Sequence, residues 1–311
     1  MLKVIFADSH AGVSAEGFEV LFSYVAGGPV SFVKNGKEWL YRAPQPTFWR
    51  ALTDNDRGNG FALRSGMWYA ADRFIRVKSA EVSRDGEKIP LPVAPENNRY
   101  SENETAHEFK ITYVFETITV PVTEVRVSYT VTPDGRLRAD VHYAGKEGLP
   151  ELPVFGLRMI FPTAASGYTY EGLSGETYPD RKAGGIHGIY EAEGLPVNAY
   201  LTPQDCGMHM DTEWVEIRRN TVLNNADKDP GEFSLKVQKA GKPFAFSLLP
   251  HTPAELENAG HAEELPPVRR TVLTVCGAVR GVGGIDSWGS DVEDPYRINA
   301  EKDIDFSFEV C

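Results

Sequence analysis

Cysteine is scarce in this chain: Cys206, Cys276 and Cys311 are the only three in 311 residues, far apart and odd in number. That pattern excludes a disulfide framework and a Cys-x-x-Cys zinc site, so the three read as free thiols. Long apolar runs are also missing. The longest, "FAFSLLP" and "TVLTVCGAV", fall well short of the roughly 20 residues needed to span a bilayer, so no membrane helix is expected. Asp8 interrupts the amino-terminal "MLKVIFADSHAG" before a signal-peptide core can form, and the chain reads as cytoplasmic. Basic residues are outnumbered, 32 Lys and Arg against 44 Asp and Glu, for a formal charge of −12. Such a surface repels phosphate backbones, and no basic stripe interleaved with aromatics offsets it, which excludes nucleic acid as a partner. The seven histidines include no His-x-x-x-His pair, so no metal site is indicated on this chain. Strands alternating with long helices are absent too, which excludes a βα barrel.

What is present is a period of two, the mark of strands with one buried face. "VRVSYTVTPDGRLRADVHY" alternates Val125, Val127, Tyr129 and Val131, turns at Pro133-Asp134-Gly135, and resumes with Leu137, Ala139, Val141 and Tyr143, a hairpin pattern. "EFSLKVQKAGKPFAFSLL" predicts a second hairpin around Gly241, and Ile304, Phe306, Phe308 and Val310 alternate at the end of the chain. Helices are few. "TPAELENAGHAEEL" begins with Thr252 as N-cap, Pro253 at the first helical position and Glu255 completing a capping box. "ALRSGMWYAADRF" predicts another short helix. With no internal repeat or linker, residues 1–311 read as one all-β domain of antiparallel sandwich type.

The candidate chemistry lies in loops. "TDNDRGNG", Thr53 to Gly60, starts like a calcium loop, but Gly58 takes the third ligand position and Ser65 stands where a bidentate Glu is required. It reads instead as a loop whose Asp and Asn cap backbone amides. "GVGG" is followed by neither a helix nor a Lys-Ser/Thr pair, so it is not a phosphate loop. There remain the stretches "PTFWRALTDNDRG", "GLSGETYPDRKAG", "YLTPQDCGMHMDTEW" and "GVGGIDSWG". Each sets aromatic faces beside carboxylates, amides or Arg, the surface that a sugar's apolar C–H face and hydroxyl rim require.

These same stretches resemble the C-terminal domain of family 2 β-galactosidases. Its signatures "FxRAPxDND", "GxxExYPDR", "YxxPxENGxR" and "GxDSW" are matched, in order, at Phe48 to Asp56, Gly172 to Arg181, Tyr200 to Asp211 and Gly284 to Trp288. Nearly the whole chain is similar to the separately encoded small subunits of heterodimeric enzymes from lactic acid bacteria. Two places depart from the pattern: Ala51-Leu52 replaces Ala-Pro, and Gln204-Asp205-Cys206-Gly207 with His209 replaces Glu-Asn-Gly with Arg.

The resemblance implies a galactose-mutarotase-like antiparallel supersandwich with a few short helices. It implies a role as the small subunit of a β-galactosidase, completing an active site built by a TIM-barrel large subunit that acts on terminal β-galactosides such as lactose. The catalytic carboxylates, and the Mg2+ and Na+ or K+ of the family, belong to that large chain. On this chain it points to Trp288 for substrate contact, with Asp286 and Ser287 shaping the Trp288 loop. Arg50, Asp54, Asn55, Asp56, Glu176, Tyr178, Asp180, Arg181, His209 and His261 are expected to be structural or to meet the partner, His261 from the helix capped by Thr252. Two other functions stay open: a stand-alone aldose mutarotase using His209 and Glu176 as acid and base, and a non-catalytic galactoside-binding module.

Overall fold

The computed structural model describes residues 1–92, 104–229, 231–286 and 289–311. Its strands form three antiparallel sheets of ten, six and five strands. The predicted central hairpin is present: Glu124–Val131 pairs with Leu137–Tyr143, with Val125 opposite Tyr143 and Val131 opposite Leu137. Its alternating residues are buried and the chain reverses at Gly135, whose φ of 82° is left-handed. The last strand, Ile304–Val310, lies inside the ten-stranded sheet between Leu137–Tyr143 and Phe233–Lys239.

The second predicted hairpin does not form. Phe233–Lys239 pairs within the ten-stranded sheet with Trp214–Arg219 and the last strand. After Gly241 the chain crosses to the five-stranded sheet, where Phe244–Leu249 lies between Met208–Thr212 and Thr271–Val279. Burial decides the difference. All six residues of Phe244–Leu249 are buried, whereas Phe233–Lys239 buries only alternate residues. A strand covered on both faces belongs in a sheet interior, not beside one with a solvated face.

The ten-stranded sheet packs one face against both smaller sheets. Phe22 of the six-stranded sheet lies 6.0 Å from Phe109 and 5.9 Å from Tyr129. Phe155 of the five-stranded sheet meets Phe306 at 5.8 Å, and Phe246 meets Tyr168 at 6.0 Å. One continuous apolar core runs between the layers, so the architecture is the all-β antiparallel supersandwich expected.

The helices sit at the rim. Pro253–Asn258 has the predicted capping box between Thr252 and Glu255, but it ends at Asn258, and His261 lies beyond it, ahead of the 3-10 turn Ala262–Glu264. The helix expected in "ALRSGMWYAADRF" divides at Gly66 into Phe61–Ser65 and Met67–Phe74. The stretch expected to be a loop from Thr53 is instead a one-turn helix, Asp54–Gly58. The Thr53 hydroxyl accepts from Asp56 N–H and the Asp56 carboxylate accepts from Thr53 N–H. Thr-x-x-Asp satisfies the orphan donors of a helix start as Thr-x-x-Glu does, and that local signal outweighs the turn propensity of Asp, Asn and Gly.

Candidate functional site

The four motif stretches, far apart in sequence, come together around one cavity. Asp54 and Asn55, Glu176 and Tyr178, Gln204 and Asp205, with Gly284 to Asp286, are among the residues from the four stretches that line a cavity of about 470 Å³. A smaller hollow of about 280 Å³, bounded by Asp180, Asp291 and Tyr296, shares Arg181, Gly284 and Ile285 with it.

Beneath both lies a buried ion network. Asp56 accepts from Arg50 Nη1 at 2.7 Å through one oxygen and from Arg280 Nη1 at 3.0 Å through the other. Arg280 is fully buried over the Phe61 ring, and it also binds Glu151 and, at 2.5 Å, Asp291. Arg50 donates its second nitrogen to the Gly281 carbonyl at 3.1 Å. Carboxylates offset the charge of both buried guanidinium groups, although Arg50 Nε–H is buried without an acceptor, and the Arg280–Asp56 pair joins segments more than two hundred residues apart.

The loop above this floor is held on its backbone. Asp180 accepts from Val282 N–H at 3.1 Å and Gly283 N–H at 2.8 Å. Arg181 closes its fork on the Gly283 carbonyl at 3.0 and 2.7 Å, and Asn55 donates to the Val282 carbonyl at 3.2 Å. Gly284 has φ 105°, and a Cβ there would fall 1.5 Å from Arg181 Nη2. The glycines of "GVGG" therefore serve close backbone approach to two side chains, not phosphate binding. Asp286 accepts from Ser290 N–H at 3.2 Å and Ser290 Oγ at 2.6 Å. Ser287 and Trp288, between them in sequence, lie outside the described residues.

The opposite wall is acidic and aromatic. Tyr178 donates to Asp205 at 2.8 Å, both side chains being buried. Burial pushes the Asp205 carboxyl up to about 6 against the pull of Arg50, and pushes the Tyr178 hydroxyl well above its ordinary range. Glu176 accepts from Gly207 N–H, and Asp54 N–H donates to Gln204 at 2.8 Å.

His209 is elsewhere. It is buried against Tyr170 at 4.3 Å and Phe246 at 4.8 Å, with Nε2 3.1 Å from the Tyr168 hydroxyl. Burial lowers its pKa to about 4, so it is neutral near pH 7. Glu176 lines the cavity, and His209 is not among the residues lining it. His261 is exposed and 3.3 Å from Glu264. Among the described residues no group of three or more His, Cys, Asp or Glu side chains is disposed to hold a metal, and no helix is long and apolar enough to cross a membrane.

Sequence reasoning missed Arg280, Asp291 and Asp205. Arg280 carried a signal, since a lone arginine directly after the apolar strand Thr271–Val279 and directly before the glycine loop needs a buried partner. Asp205 lay within the Tyr200 to Asp211 motif without a role read for it, and Asp291 stands among several acidic loop residues and carried no signal.

The β-galactosidase small chain family matches residues 14–310. A β-galactosidase small subunit from Latilactobacillus sakei is 60% identical over 309 residues, covering 99% of this chain and 97% of that protein. A β-galactosidase from Halalkalibacterium halodurans is 33% identical over 99% of this chain, which spans only 28% of that longer protein. Among solved structures, a putative aldose 1-epimerase from Escherichia coli K12 is 11% identical, covering 100% of this chain and 98% of that one at a TM-score of 0.44. With its four motifs gathered around one cavity and the family match running over almost its full length, the chain belongs to the β-galactosidase small chain family.

Proposed function

We propose that this chain is the small subunit of a heteromeric β-galactosidase of glycoside hydrolase family 2 and is inactive by itself. The observation that carries the reading is the pairing of coverage: the chain spans 97% of a separate small subunit and 28% of a longer β-galactosidase. Retaining glycosidases need two carboxyl groups about 5 to 5.5 Å apart, one as nucleophile and one as acid and base. At the loop end of this chain Asp56 is committed to two arginines and Asp180 to two backbone amides. In this reading, which the family resemblance supplies, the catalytic pair, its magnesium and its monovalent cation belong to a TIM-barrel large subunit, and the assembled cytoplasmic enzyme hydrolyses terminal β-galactosides such as lactose through a galactosyl-enzyme intermediate.

In this reading the small chain contributes an edge to the sugar site. Asp180, Arg181 and Asn55 hold residues 282 and 283 by their backbone, so the loop that follows is presented at low entropic cost. Trp288 is its sugar platform and Asp286 and Ser287 shape it. The test is to purify the chain and assay a chromogenic β-galactoside alone and with the separately purified large chain. Turnover only in the mixture is expected; sustained turnover by the small chain, free of contaminating enzyme, overturns the proposal. Binding of lactose by the isolated chain, read by calorimetry, would favour a galactoside-binding module instead.

A further inference from the structure

On the outer face of the five-stranded sheet a further cavity, of about 360 Å³, opposes the character of the rest of the molecule. It shares no lining residue with the cavity at the motif loops. Five arginines, Arg42, Arg73, Arg158, Arg269 and Arg270, face two carboxylates, Asp72 and Glu255, a local formal charge of +3 (five minus two) in a chain of −12.

Neither carboxylate neutralises the excess. Asp72 pairs with Arg158 Nη1 at 2.9 Å while accepting from Phe48 N–H at 2.8 Å and from the Thr47 hydroxyl. Glu255 is turned into its own helix cap, accepting from Thr252 N–H at 2.7 Å and Thr252 Oγ1 at 2.9 Å. Arg73 donates to the Tyr69 hydroxyl at 2.8 Å, and Arg270 lies over the Tyr41 ring at 3.6 Å. Among the described residues Arg42, Arg73, Arg269 and Arg270 form no ion pair, and the buried Nε–H of Arg158 has no hydrogen-bond acceptor.

Gathering like charges around a concavity is unfavourable unless an anion occupies it. Guanidinium forks match oxyanions two oxygens at a time, which favours phosphoryl groups over halide-like ions, and the volume falls at the lower end of small-molecule sites. We propose that this cavity binds a dianionic phosphoryl group, as inorganic phosphate or as the phosphate monoester of a small sugar.

Calorimetry of the full chain, and of its complex with the large subunit, with inorganic phosphate and with glucose 6-phosphate tests this. Saturable binding with a Kd below about 1 mM is expected in both preparations. Arg42 and Arg269 are exposed, so the double variant Arg42→Ala, Arg269→Ala should fold and bind at least about tenfold more weakly, whereas Arg126→Ala, on an exposed strand position, should bind as the parent does. Equal affinity for the two probes identifies free phosphate as the ligand, and tighter binding of glucose 6-phosphate identifies a monoester. The proposal fails if neither probe binds below about 10 mM, or if the double variant binds as the parent does. It also fails if phosphate binds the isolated chain but not the complex while the double variant weakens assembly, which assigns the arginines to an acidic segment of the partner.

Discussion

Asp205 shows how one buried carboxyl couples the site to pH. Its pKa is raised by burial to about 6 from an ordinary 3.8, so the folded state favours the protonated acid. That contribution is fully present below the unfolded pKa and is lost as pH rises through about 6. Asp205→Asn keeps an acceptor for Tyr178 and removes the charge. The variant should therefore be more stable than the parent at pH 7, by up to roughly 3 kcal/mol, and should lose the parent's decline between about pH 4 and 6. Urea unfolding at pH 4, 5, 6 and 7 measures both; a variant less stable at pH 7 would mean that the attraction of Arg50 outweighs burial. At Trp288, a ring covering one face of a sugar buries about 60 Å² at about 25 cal/mol/Å², or roughly 1.5 kcal/mol and about tenfold. Trp288→Ala should lower kcat/KM of the assembled enzyme by at least that factor and leave the melting of the isolated chain nearly unchanged. A core anchor would do the reverse, costing about 3 to 5 kcal/mol of stability with kinetics intact.

Elements are joined at places where no larger or uncharged residue fits. Gly156 lies at the irregularity where Val154–Phe161 pairs with Thr271–Val279, and a Cβ there would fall 2.5 Å from the Val275 carbonyl oxygen. Because that neighbour is backbone in a central strand, Gly156→Ala should cost about 1 to 3 kcal/mol, while Gly184→Ala, with open space around it, should be nearly neutral; paired denaturant midpoints compare them. Arg280 joins the end of a strand to the helix Asp54–Gly58 and to the loop beyond it through Asp56 and Asp291. Arg280→Met leaves those carboxylates short of a cation, and breaking a buried pair on one side costs about 3 to 5 kcal/mol. Unfolding of Arg280→Met should be shifted by that amount, and adding Asp56→Asn should destabilise the protein further, since the buried Arg50 then loses the carboxylate it pairs with.

At the scale of the whole molecule, a chain whose loops complete another chain's site needs a large shared surface, above about 2,000 Å² in total if the complex is obligate. Co-expressed large and small chains should co-elute on size-exclusion chromatography at micromolar concentration, and separate elution there would count against the subunit reading. Among the described residues, exposed Tyr200 borders the motif cavity and the more exposed Leu201 follows it in the chain, so Leu201→Asp should weaken that co-elution if the partner closes over this end.

The sequence by itself determined the alternating strands and the start of the helix that Thr252 caps. Alternation and capping boxes are properties of a few consecutive residues: Val125 to Tyr143 folds as its period of two requires, and Thr252 caps its helix with Glu255. The four motifs were legible for the same reason, each being a short run of unusual composition. Only the tertiary structure decided that Phe233–Lys239 and Phe244–Leu249 part company at Gly241, because the choice of sheet depends on what covers the second face of each strand. It also decided that His209 is a neutral packing group, that Arg280 and Asp56 meet across more than two hundred residues, and that five arginines share one hollow. Charge and burial act through distance in space, and a sequence records only distance along the chain.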